Sequence, residues 1–81
     1  MQKQKVINSI ADVLEMTVEE ITILDEDEPL SDHGMDSLHF IQMIVLIEEA
    51  LGIEILDSDL LIENFSCKKR IYATLEKYLK P

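Results

Sequence analysis

HGMDSLHFIQMIVLIEEALG, residues 33–52, decides how the chain folds. On a wheel of roughly 100° per residue with Ser37 at zero, Phe40, Met43, Ile44, Ile47, Ala50 and Leu51 fill an arc from about 220° to 340°. That is the core face of an amphipathic helix running from near Asp36 to about Leu51. Gly52 ends it, since glycine tolerates the left-handed backbone that closes a helix. Ser37, Gln42, Glu48 and Glu49 lie on the other side. Among them sit Leu38, Ile41 and Val45, a second apolar stripe at helical spacing. Two readings compete for the stripe. Either a neighbouring element covers it, or it is an exposed patch, rimmed by carboxylates, that meets a partner.

Outward from this helix the chain reads as further helices. Residues 3–15 place Val6, Ile7, Ile10, Ala11, Val13 and Leu14 on one arc, with Asn8, Ser9, Asp12 and Glu15 opposite. TVEE follows, with Thr17 and Glu20 spaced as a capping box that opens a short helical turn through Ile21. The long acidic loop TILDEDEPLSDHG is broken by Pro29 and Gly34, and Ile23 and Leu30 are expected to pin it to the core. A short third helix over DLLIEN is capped by Asp57 or Ser58. The last helix begins after Phe65, with Ser66 as its cap. Its apolar face holds Cys67, Ile71, Leu75 and Tyr78, flanked by Tyr72 and Leu79. Lys77 and Lys80 suit the negative end of that helix, whereas the KKR run at 68–70 reads as a solvated first turn. With two glycines and two prolines, an all-β fold is disfavoured. The expected fold is all-α: a small bundle of three main helices plus one short helix, forming a single domain over residues 1–81.

Composition narrows function. An 81-residue domain does not easily enclose a dry pocket, so chemistry needing one is disfavoured. The formal charge is −10, and 16 of the 17 acids lie between Val6 and Cys67, where there is no lysine or arginine. Such a surface repels nucleic acid and anionic membrane and attracts partners with basic docking patches. The plainer alternative is that the acidity serves solubility. One cysteine, no signal-peptide pattern and no apolar run longer than MIVLI point to a soluble cytoplasmic chain without a membrane span.

Ser37 is the residue that invites chemistry. His33, Asp36 and His39 are near, but residues one and two apart on a helix point in different directions, and no G-x-S-x-G elbow is present. A serine hydrolase is therefore disfavoured. Asp36 or Ser37 as a plain helix cap is the default for a generic sequence. A third role needs no activation by this chain: a serine at a helix N-terminus suits a phosphate-linked group added by another enzyme. DEDEP does not make an EF-hand, because Pro29 and Leu30 fall where an oxygen ligand and a glycine are needed. Two histidines and a distant cysteine are too few for zinc, and Cys67 reads as a small core residue.

GMDSL, followed by a helix ending in LIEEALGIEI, resembles the acyl carrier protein family, which includes peptidyl and D-alanyl carriers. The resemblance extends through TVEEI, the acidic loop and ENFSCKKRIYATLEKYL. It implies that Ser37 carries 4′-phosphopantetheine and that Asp36 assists the modifying transferase and its metal. It further implies that Leu38, Ile41, Val45 and Glu48 contact partner enzymes, that Gly34 turns the loop into the helix, and that Phe65 anchors the core. The function implied is an acyl or aminoacyl carrier holding intermediates as thioesters, with no catalysis of its own. Its partners would be a phosphopantetheinyl transferase and loading and processing enzymes, and the chain would act as a monomer. His39 and Gln42 stand where fatty-acid carriers usually have acids, and His33 where they usually have leucine. These departures point to a polyketide, peptide or other specialised pathway rather than, or besides, housekeeping fatty acid synthesis. The rival expectation is an unmodified helical interaction module with the same fold.

Overall fold

In the computed structural model, residues 2–79 are described. α1 (Lys3–Leu14) buries Val6, Ile7, Ile10, Ala11 and Val13, the periodic apolar set. Ser9, expected on the polar side, is also buried; its hydroxyl donates to the Lys5 carbonyl at 3.0 Å, which satisfies it without water. The helix ends at Glu15, whose backbone is left-handed at φ 55°.

α2 (Val18–Ile23) opens with the capping box. The Glu20 amide donates to Thr17 Oγ1 at 3.1 Å, and the Thr17 amide donates to Glu20 Oε1 at 2.8 Å. It runs two residues past the expected single turn. Ile21 is its buried contribution, whereas Ile23 is 80% exposed and pins nothing. The loop is held instead by buried Leu30 and by backbone bonds to a distant segment. The Leu30 amide donates to the Ser66 carbonyl, and the Lys69 amide to the Glu26 carbonyl, both at 2.8 Å.

α3 (Ser37–Leu51) spans the predicted range, with Asp36 as cap and left-handed Gly52 as its stop. Its deeply buried residues are Met43, Ile44 and Ile47; Phe40, Ala50 and Leu51 lie half-buried at the edges of that face.

The third helix differs from expectation. Residues 57–65 form two short 3-10 turns, Asp57–Asp59 and Ile62–Phe65, joined by an extended kink. Leu60 and Phe65 turn to the core while Leu61 and Ile62 face solvent, a spacing that does not make one helical face. Polar bonds shape it instead. Asn64 Nδ2 donates to the Asp59 carbonyl, while the Asp59 carboxylate accepts from Lys77 Nζ at 2.8 Å and from the Tyr78 hydroxyl. That hydroxyl in turn accepts from the Leu56 amide at 3.0 Å. Hydrogen bonds from Lys77 and Tyr78 hold the Asp59 carboxyl below its usual range, so their contribution is present above about pH 4 and lost as pH falls through the lower folded value. Asp59→Asn is expected to speed amide hydrogen exchange at Leu56 at neutral pH, with α1 and α3 unaffected; unchanged exchange would show that the latch is idle.

α4 (Lys68–Leu79) buries Ile71, Tyr72 and Leu75. Ser66 does not cap it, since its hydroxyl donates backwards to the Glu63 carbonyl. The expectation for Lys80 lies outside the described residues. Lys69 and Arg70 are exposed, as expected of a solvated first turn, but Lys68 is not. It is buried, and Nζ donates to the carbonyls of Ile21 at 2.9 Å and Thr22 at 3.2 Å. A cation there serves the negative end of α2, which explains an ammonium that is unfavourable at the start of its own helix.

The core gathers Val6 and Ile10 from α1, Ile21 from α2, Leu30 from the loop, Met43 and Ile47 from α3, Phe65, and Ile71 and Leu75 from α4. The described residues contain no strand, and no helix among them is long and apolar enough to cross a membrane.

Candidate functional site at the start of α3

Gly34, at φ 99°, turns the chain out of the 3-10 turn Leu30–His33 and towards α3. A side chain there would strain the backbone, so the turn favours glycine. Asp36 follows in extended conformation as N-cap. Its Oδ1 accepts from the His39 amide at 2.9 Å and lies 2.6 Å from His39 Nδ1. The His39 amide and then its ring hold the Asp36 carboxyl below the ordinary aspartate value.

Ser37 is the first helical residue and is exposed. Among the described residues its hydroxyl makes no hydrogen bond, so Asp36 and His39 pair with each other and leave the serine free. A triad geometry is absent there. Beside it lies a cavity of about 310 Å³, lined by Met35, Phe40, Ile62 and Phe65, with Ser31 and Ser66 at its edge. The Phe40 and Phe65 rings in this lining meet at 5.5 Å, tilted by 60°.

The residues present suit a phosphate-linked group. The hydroxyl is accessible and stands at the positive end of a 15-residue helix, which favours an anionic phosphodiester. His33 stands off in the loop, with Nε2 3.2 Å from Glu28 Oε2. Among the described residues no group of three His, Cys, Asp or Glu side chains is placed to hold a metal ion.

The stripe along α3 is open: Leu38 is 62%, Ile41 59% and Val45 48% exposed, so no neighbouring element covers it. Glu48 is half-buried and Oε2 accepts from the Ile55 amide at 2.9 Å, which ties it to the segment after α3. Leu56, Leu61 and Ile62 add exposed apolar surface that periodicity did not mark. For Leu61 and Ile62 the available signal is an apolar pair within the acidic stretch DLLIEN.

The model of the phosphopantetheine attachment site family matches residues 4–67. The chain belongs to that family. The match covers α1 from its second residue, α2, the loop with its 3-10 turn, α3 and the two 3-10 turns after it, and it includes the whole of the site just described. Comparison with curated proteins and with solved structures gave no match. Phosphopantetheine carriers hold 4′-phosphopantetheine as a prosthetic group and are in general not catalysts.

Proposed function

We propose that this chain is an acyl or aminoacyl carrier with 4′-phosphopantetheine attached at Ser37. The supporting observation is the free, exposed hydroxyl at the first position of α3, within the stretch that matches the family. When bound, the group supplies a terminal thiol that links to cargo as a thioester. The residues of the chain do the rest. Ser37 offers its oxygen, Asp36 holds the helix start through the His39 amide, and the α3 dipole favours the anionic link. The site serves as a single carrier domain, monomeric and cytoplasmic, in a polyketide, peptide or other specialised pathway. His39 and Gln42, which leave this helix less acidic than a fatty-acid carrier, support that placement.

Docking falls to Leu38, Ile41 and Val45, with Glu48 and the neighbouring acids guiding basic partners to them. Partners are a phosphopantetheinyl transferase and the enzymes that load and process cargo. Val45→Asp is expected to slow loading by a transferase about tenfold, because a carboxylate would be desolvated at an apolar contact. Its far-UV circular dichroism should match the wild type; lost helicity would show that the stripe packs internally.

The deciding test is an intact mass spectrum after incubation with coenzyme A and a broad-specificity transferase. A gain of one phosphopantetheinyl group establishes the carrier. No gain across several transferases would favour an unmodified docking module.

A further inference from the structure

A second groove, of about 680 Å³, runs between the C-terminal end of α1 and the middle of α3. Val13, Ile41, Val45 and Leu46 line its apolar part, and Asp12 and Glu15 stand on its α1 wall. We propose that this groove receives an amphipathic helix of a partner protein, with apolar side chains on the floor and lysine or arginine against Asp12 and Glu15. The proposal rests on the reading of Ile41 and Val45 as docking residues and extends the interface to α1, which that reading did not include.

Exposed apolar surface and acids at the unfavourable end of a helix meet here, and a single occupant answers both. Ile41 and Val45 expose apolar surface in water, which favours an apolar cover. Asp12 and Glu15 carry negative charge at the negative end of α1, whose last turn holds no basic residue. Acids there are unfavourable until a cation sits beside them. Glu15 also holds a left-handed backbone, where glycine or asparagine is the unstrained choice. Charge complementarity selects the partner. A second copy would bring a body of net charge −10 against another, and an anionic membrane would be repelled in the same way. At about 680 Å³ the groove takes one face of a helix and not its whole cross-section.

The test is an amide chemical-shift titration of the full chain with a synthetic 14-residue helical peptide. The peptide carries leucine at i, i+3, i+4 and i+7 and lysine and arginine on its flanks. A peptide of identical composition in scrambled order is the control. The largest shifts are expected at residues 12–16 and 41–46, with the scrambled peptide binding more weakly. The double variant Asp12→Asn, Glu15→Gln should weaken binding about fivefold, as two exposed ion pairs are lost. Glu15→Gly should weaken binding while raising the melting temperature by about 4 °C, since the left-handed strain is relieved. Equal binding of the scrambled peptide would overturn the proposal. So would shifts centred on residues 25–28, shifts confined to α3, or line broadening that grows with protein concentration alone. Uptake of the phosphopantetheinyl group is scored separately, so a failure of the carrier reading shows there and not in the titration.

Discussion

Ser37→Ala is expected to abolish uptake of the phosphopantetheinyl group and to leave the melting temperature within about 1 °C of the wild type. The first half follows from the proposed attachment at Ser37, the second from the geometry. The serine hydroxyl is exposed and bonds to nothing among the described residues, so no contact is lost with it. The helix start is secured one residue earlier, where Asp36 accepts the His39 amide. Alanine is also the better helix former at an exposed position. Asp36→Ala should behave differently. It removes the cap and should lower the melting temperature by about 4 °C while uptake persists at a reduced rate. The sign with pH is set by the lowered Asp36 carboxyl: its cap contribution is present above about pH 4 and is lost as pH falls through the folded value. Uptake by Ser37→Ala at the wild-type rate would place the attachment elsewhere. Unfolding of that variant would make Ser37 a structural residue.

Lys68→Ala is expected to destabilise the domain by about 3 kcal/mol, a fall of about 15 °C in melting temperature. Lys68 is 4% exposed, so truncation opens a gap where its stem packed. It also removes the donor from two carbonyls at the end of α2. Ile21 O keeps a second partner, the Leu24 amide at 3.3 Å, so Thr22 O bears most of the loss. Lys68→Met retains the stem and removes only the ammonium, which should cost about 1 kcal/mol; part of the lost bonding is offset by no longer burying a charge. Lys69→Ala and Arg70→Ala remove exposed side chains and should stay within about 0.5 kcal/mol of the wild type. The order Ala below Met below wild type in urea unfolding would confirm a clamp between α2 and α4. A Lys68→Ala curve that overlays Lys69→Ala would refute it. For a domain of this size, total stability is only about 4–12 kcal/mol, so the clamp accounts for a substantial share.

Much of the fold was legible in local signals. The capping box at Thr17 and Glu20, the cap at Asp36 and the left-handed stop at Gly52 each involve residues within a few positions of one another. So does the placement of Ser37 at the start of α3. Hydrogen bonds of that range are properties of short peptides, and a linear reading reaches them.

Expectations fail where the deciding partner lies outside that range or competes with the helix. DLLIEN has the pattern of a helix, but Asp59 is held by Lys77 and Tyr78 from α4. Ser66 suits a cap, but it turns back to Glu63. Ile23 points to solvent and Ser9 is buried, against their expected places, and Lys68 leaves the solvated turn for the end of α2.

By itself the sequence determined an all-α chain, the order of its three long helices, both ends of α3, and a serine at the mouth of that most apolar one. It could not say whether Leu38, Ile41 and Val45 are core or surface, because periodicity reports that a face is apolar and not what lies against it. Only the tertiary structure decided that they are exposed, that α1 and α3 leave a groove beside them, and that Lys68 crosses 47 positions of chain to cap α2. Burial is a property of the neighbours a residue acquires on folding, and those neighbours are set by how the helices pack against one another.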